Sequence, residues 1–382
     1  MNFNLTEEQQ MLQDSLRRFV ANEYTFEKRG QIIDSGKGMD ESIWRQFAEM
    51  GLLGFTFPED YDGLGGNAID TMLVMDCFGR ALVVEPYLAT VVLAGGLVRD
   101  IGNDHQKQGI LPRISAGEHR MAFAHSEPGA RYNLTQVSTR AEKTDDGFVL
   151  NGQKTAVIHG GQADQLIVSA RSSGDITDPD GVSLFLVDRN AEGLQVHDFV
   201  THDGQRTAEL TLANVRVNAD AVLGEPGGAM PAIEKACDLA IAALCAEAVG
   251  AMEALNEATL DYLKTRKQFG VPIGKFQVLQ HRMADMFIAA EEAKTMAILA
   301  ASETDSDDRE TRRRAVSMAK TLVGQSARTV GQDAVQLHGG MGVTDEMFAA
   351  HLFKRLTLIN LLFGDADYHL EQVSDQLLTG AA

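Results

Sequence analysis

Two short motifs in the last third of the chain combine a forked cation, aromatic rings and paired glycines. One is Arg266-Lys267-Gln268-Phe269-Gly270, followed by Phe276-Gln277; the other is Gln336-Leu337-His338-Gly339-Gly340. A guanidinium offers several coplanar N–H donors and can pair with an anion in two places at once. Adjacent glycines admit close approach to the backbone. The plain alternative is a helix-end cation at Arg266 and a helix stop at Gly339-Gly340. Groups for proton transfer are scarcer. Asp365 and Asp367 stand in Gly364-Asp365-Ala366-Asp367, a sequence equally suited to a turn and a helix N-cap. His159 and His338 could bond ligand oxygens or serve as structural hydrogen-bonding groups. No histidine cluster or carboxylate spacing forms a metal site. Three cysteines (Cys77, Cys237, Cys245) make neither a C-x-x-C pair nor a disulfide framework.

The elements that must position these residues fall into three stretches. Residues 1–120 read as helical. Thr6 with Gln9 spells a capping box, IWRQFAEMGLLGF predicts an amphipathic helix closed by Gly51 and Gly54, and IDTMLVMDCFGRALV predicts a strongly apolar one. Residues 121–228 alternate short Val-, Ile-, Leu- and Phe-rich runs with Asp, Gly, Asn and Pro, which predicts an antiparallel β domain. From 229 to 382 long segments rich in Ala, Leu, Met and Glu predominate, and Pro272 is the lone proline after Pro231. Such segments predict a helix bundle, with Met283, Met286, Met296, Met318, Cys237 and Cys245 in its core.

Composition narrows the function. Of 382 residues, 34 Lys and Arg against 54 Asp and Glu leave 34 − 54 = −20. That sign opposes nucleic-acid backbones and anionic membrane surfaces. The longest weakly polar stretch, Leu239–Ala246, falls far short of the roughly 20 residues a bilayer needs. The polar N-terminus has no signal-peptide h-region, so a soluble protein of the reducing cytoplasm is expected.

The order helices, β domain, bundle comes with five motifs. They are Ser126-Glu127-Pro128-Gly129; Leu150-Asn151-Gly152-Gln153-Lys154-Thr155; Val215-Arg216-Val217 with Leu223-Gly224; Arg266 to Gly270 with Ile273-Gly274-Lys275-Phe276-Gln277; and Gln336 to Gly342. Together they resemble the acyl-CoA dehydrogenase family over essentially the whole chain. Within it, the resemblance is to the small subunit of bacterial pimeloyl-CoA dehydrogenases and to subunits of heteromeric enzymes acting on sterol side chains. The resemblance implies a mainly α fold with a β middle domain: an N-terminal helical domain (1–120), an antiparallel, barrel-like β domain (121–228) and a C-terminal four-helix bundle (229–382). It implies FAD as cofactor, an acyl-CoA substrate and an electron-transfer flavoprotein as acceptor. A Glu would take the Cα proton of the thioester while hydride leaves Cβ for the flavin. The family shares each FAD between two subunits. By that resemblance Arg266, Gln268, Phe269, Gly270, Phe276, Gln277, Gln336, Gly339 and Gly340 form the share offered to a neighbour.

Several positions depart from the family. The late loop that usually reads Tyr-Glu-Gly-Thr is Phe363-Gly364-Asp365-Ala366, so Gly364 stands at the Glu position; the alternative site on the first bundle helix is Ala240, followed by Ile241. No catalytic residue is assigned, and Asp365 is the nearest candidate. Where relatives carry Trp-Ile-Thr beside the flavin ring, this chain has Ala156-Val157-Ile158, and Arg131 and Tyr132 replace a flexible Gly-Ser. The expectation is a chain that completes the FAD site of a homologous catalytic subunit in an α2β2 tetramer. The alternatives are a self-sufficient homotetramer using Asp365 and a scaffold protein without flavin.

Overall fold

The Thr6 hydroxyl accepts from the Gln9 amide at 3.2 Å while the Gln9 side chain accepts from the Thr6 amide at 3.1 Å. This reciprocal pair satisfies two of the donors that a helix start leaves open. The computed structural model describes residues 5–380. Helices α1 (Glu7–Glu23), α2 (Phe26–Asp34), α3 (Glu41–Glu49), α4 (Ala68–Ala81), α5 (Gly96–Ile101) and α6 (Asp104–Ser115) make up the predicted helical stretch. The predicted IWRQFAEMGLLGF helix stops at Glu49. Gly51 turns left-handed at φ 76°, and Leu52–Gly54 form a separate 3-10 turn.

The chain clusters into two units, residues 32–67 with 84–240, and residues 1–31, 68–83 and 241–382. The first holds strands β1 (Met121–Ala124), β2 (Arg140–Lys143), β3 (Gly147–Ile158), β4 (Gln165–Arg171), β5 (Val182–Asp188), β6 (Leu194–Val200), β7 (Arg206–Asn218) and β8 (Val222–Leu223). They lie in the order β6-β7-β3-β2-β4-β5-β8, with β1 also on β4. Most pairs are antiparallel, as the sequence predicts. However, β1 runs parallel to β4, with Met121 opposite Gln165, and β2 meets β4 in parallel at Arg140 and Arg171. Side-chain alternation along a run sets which face is buried but not the direction of the partner strand. Leu150, Leu166, Val168, Phe185, Leu210 and Val215 form the core of this sheet.

The second unit is helical. Helix α7 (Met230–Thr265) enters it at Ile241 and is followed by α8 (Gln277–Glu303), α9 (Arg309–His338), α10 (Phe348–Leu361) and α11 (Ala366–Gly380). A small hairpin, β9 (Lys267–Gln268) with β10 (Val271–Pro272), joins α7 to α8. α4 and α7 cross at two glycines: a Cβ on Gly79 would run into the Glu247 carbonyl, and one on Gly250 into the Asp76 carbonyl. Only residues without side chains allow backbones this close.

Beside that crossing, buried Arg355 of α10 donates to Glu247 of α7 from Nε at 2.6 Å and from a terminal nitrogen at 2.8 Å. The methionine expectation holds for buried Met286, whereas Met318 is 40% exposed. All three cysteines are buried, and none is in a disulfide. Among the described residues no group of acidic, His or Cys side chains could hold a metal, and no helix is long and apolar enough to cross a membrane.

Replacing Arg355 with Leu leaves a buried carboxylate without its cation. Loss of about 3–5 kcal/mol of unfolding free energy is expected by urea titration, with partial recovery when Glu247 is also made apolar.

Candidate functional site

The nine positions drawn from the two late motifs are all exposed: Arg266, Gln268, Phe269, Gly270, Phe276, Gln277, Gln336, Gly339 and Gly340. The first six sit where α7 gives way to the hairpin and α8. The Arg266 amide still donates to Tyr262 O at 2.8 Å, and the Ile273 amide donates to Arg266 O at 2.9 Å, which closes the hairpin. Phe269 lies on left-handed backbone at φ 55° and is 90% exposed. Its ring meets Phe276 edge-on, with centroids 6.0 Å apart. The other three positions lie at the C-terminal end of α9. Here Gly339 has φ 60°, and a Cβ on Gly339 or Gly340 would meet nothing within 4 Å. Gly340 is outside the left-handed region. Neither packing nor backbone therefore demands a glycine at position 340, whereas the backbone at 339 favours one.

Tyr262 ties the two motifs together. Its ring stacks on His338 with centroids 4.5 Å apart. His338 Nδ1 donates to Ala334 O at 2.8 Å, so in the neutral ring Nε2 is an acceptor; that atom is buried and has no partner. Sequence reasoning missed Tyr262, and its place one helical turn before Arg266 was the only available signal. The arrangement fits the nucleotide half of FAD. Arg266 would meet the diphosphate, an exposed phenyl ring would cover the adenosine, the glycines would admit close approach, and His338 has an acceptor to offer. FAD itself would supply the hydride acceptor; these residues would only bind and orient it.

The β unit holds the positions expected beside the flavin ring. Under the 126–139 loop lies a buried polar network. Lys154 Nζ donates to Glu127 Oε1 at 2.7 Å, to Ser169 Oγ at 2.9 Å and to His125 O at 3.2 Å. Glu127 also accepts from the Ser138 and Thr139 amides at 2.6 and 3.0 Å. His125 Nε2 donates to Leu134 O at 3.0 Å, and Nδ1 lies 2.9 Å from Ser169 Oγ. Burial pushes Lys154 down to about 8 against the pull of Glu127. Burial would raise the Glu127 carboxyl, but Lys154 and Thr139 outweigh it and hold it below the usual range. Burial, with Lys154 beside it, lowers His125 to about 3.

The positions that the resemblance leads one to expect beside the flavin ring are sparsely equipped. Ala156 sits at φ 51°, Val157 is buried, and Ile158 follows. None of the three has an aromatic face or a hydroxyl. Arg131, at φ 51°, lies over the Tyr132 ring at 5.5 Å. His159 is buried, with Nε2 3.1 Å from Gln205 Oε1.

The two positions where the resemblance leads one to expect a base, 240 and 364, leave little space for a side chain. Ala240 is fully buried in α7. Gly364 has φ 116°, and a Cβ there would lie 2.5 Å from Tyr368 Cδ1 and 2.6 Å from His369 Nε2. Asp365 Oδ1 accepts from the Tyr368 amide at 2.9 Å, the bond of an N-cap to α11, and Asp367 is exposed in the first turn of that helix.

Comparison with known proteins covers the chain in three parts. Models of the acyl-CoA dehydrogenase N-terminal, middle and C-terminal domains match residues 6–118, 122–215 and 230–378. A probable acyl-CoA dehydrogenase, YngJ of Bacillus subtilis (strain 168), is 30% identical over 99% of this chain and 100% of its own. A variant of the Tcur3481-Tcur3483 steroid ACAD superposes with a TM-score of 0.88 at 29% identity, covering 98% of this chain and 99% of that one. A chain of the ChsE4-ChsE5 complex from Mycobacterium tuberculosis gives 0.89 at 25% identity, over 99% of each.

Two measurements test the buried polar groups. Lys154→Met strands the Glu127 carboxylate, so a loss of roughly 3 kcal/mol is expected, with faster amide exchange across 126–139. His125, at about 3, and His369, lowered by burial to about 4, are neutral in the folded chain. The unfolded chain therefore takes up protons first on acidification. Their contribution is complete above about pH 6.5 and declines as the pH falls toward 4 and below. Melting temperature should drop over that window, and less steeply in His369→Gln.

Proposed function

The chain belongs to the acyl-CoA dehydrogenase family, and from that premise we propose that it is the non-basic subunit of a heteromeric, FAD-dependent acyl-CoA dehydrogenase. It would lend its cradle to FAD whose ring and catalytic Glu belong to a homologous partner chain. Two chains of each kind would form an α2β2 tetramer with one working flavin site per pair. A CoA thioester with a bulky or dicarboxylic acyl group is the substrate class, and an electron-transfer flavoprotein receives the electrons. Two of the similar structures carry paired names, Tcur3481-Tcur3483 and ChsE4-ChsE5.

One observation carries this reading. The nine cradle positions are exposed around an unpartnered His338 acceptor, whereas position 364 has no room for a side chain and position 240 is fully buried. A chain acting alone would need a carboxylate within reach of the Cα proton. The nearest, Asp365, is engaged at the start of α11.

The test is co-expression with the homologue carrying the Tyr-Glu-Gly-Thr loop, followed by counting flavins per chain. One FAD per two chains is expected, with no flavin on this chain by itself. A pure homomer with stoichiometric FAD that oxidises acyl-CoA would overturn the reading. In the assembly, Arg266→Ala should weaken FAD retention by roughly ten- to a hundredfold, read from flavin release on dilution.

A further inference from the structure

The turn between α10 and α11 is pinned from the side of α9. Lys320 is fully buried, and its Nζ donates to Ile359 O at 2.7 Å and to Leu362 O at 2.6 Å. These carbonyls end α10, where no intrahelical donor reaches them and a cation is favoured. One turn back along α9, Ser317 Oγ lies 3.1 Å from His369 Nδ1. The other ring nitrogen of His369 lies 3.1 Å from Phe363 O. A carbonyl only accepts, so Nε2 carries the proton and Nδ1 accepts from Ser317. Two successive carbonyls, of Leu362 and Phe363, are thus held by side chains that are themselves buried. Phe363 is left-handed at φ 57° and Gly364 follows at φ 116°.

We propose that Tyr368 and His369 have taken over the volume of the residue-364 side chain and that, with Lys320, they lock this turn shut. The chain then could not present a base there even if a carboxylate were restored. The lock rests on the reading of Gly364 as the former base position. It goes further in making the loss structural: the vacancy left by the carboxylate has been filled.

The test is a double-mutant cycle on the full chain. Gly364→Ala is made in the natural background and in one carrying Tyr368→Ala and His369→Ala. The left-handed backbone penalises alanine equally in both, so that cost cancels, and what remains is the clash with the two rings. Gly364→Ala should lower the thermal midpoint by several degrees in the natural chain, and by less than half as much once the rings are gone. Equal losses in both backgrounds would overturn the proposal.

The 15N spectrum of His369 in the natural chain gives an independent reading that survives poor folding of the variants. A proton on Nε2 and a bare Nδ1 at pH 6 are expected; a neutral ring with its proton on Nδ1 and a bare Nε2 would mean that the ring does not clasp the turn. A self-sufficient homomer would sink the subunit reading and leave both results untouched, so the two failures are distinguishable.

Discussion

A phenyl ring that is 90% exposed on left-handed backbone gains little from its own chain beyond an edge contact with Phe276. Phe269 bears the solvation cost of an aromatic surface and the conformational cost of a non-glycine residue at positive φ, each normally avoided. The same constraint governs its neighbours. Gly340 is a glycine without an internal reason, and His338 keeps a buried acceptor without a donor. Buried polar atoms are nearly always paired, and an unpaired one usually marks a missing partner. The stack of Tyr262 on His338 links the two late motifs that carry these features.

Position 364 is the converse. A glycine in a packed turn can leave a hole, and holes are costly because their walls lose contacts on one side. At Gly364 there is no hole. Tyr368 and His369 crowd the place where a Cβ would project, and the backbone there favours glycine. Placing a larger residue at this point requires several coordinated changes. That contrast separates the exposed late motifs from a turn filled by the chain's own side chains.

Much of the fold was legible in the residues. The capping box at Thr6, the buried cysteines and the α–β–α order follow from local periodicity and cap chemistry, which are short-range properties. The parallel pairings of β1 and β2 with β4 were not legible, since alternation says nothing about strand direction. For the candidate site, motif spacing located Arg266 and Gly339-Gly340 but not the Tyr262–His338 stack, a contact between residues far apart in sequence. Positions 156–158 and 364 stand out by residue type in the sequence, whereas the packing of Tyr368 and His369 around position 364 is visible only in three dimensions.

The hardest features to read belong to a device used three times. Lys154 on β3, Arg171 on β4 and Lys320 on α9 are buried cations on regular elements that gather groups from irregular segments. Lys154 reaches Glu127 and the His125 carbonyl; Lys320 reaches the end of α10 and the turn beyond. Arg171 donates to the carbonyls of Thr135, Val137, Ile176, Asp178 and Asp180. Burying a cation is costly unless every donor is satisfied, and backbone carbonyls satisfy it only in one arrangement of the loop. The cation thus turns the desolvation penalty into a restraint on loop shape. For Arg171 and Lys320 the acceptors are main-chain oxygens, which any sequence could supply, so no motif announces those contacts. What a sequence does show is a lone Lys or Arg in an otherwise apolar run, as Lys320 stands in Met318-Ala319-Lys320-Thr321-Leu322-Val323. In this chain that signal lies beneath the 362–365 turn; Lys154, beneath 126–139, stands among Asn151, Gly152, Gln153 and Thr155 and lacks it.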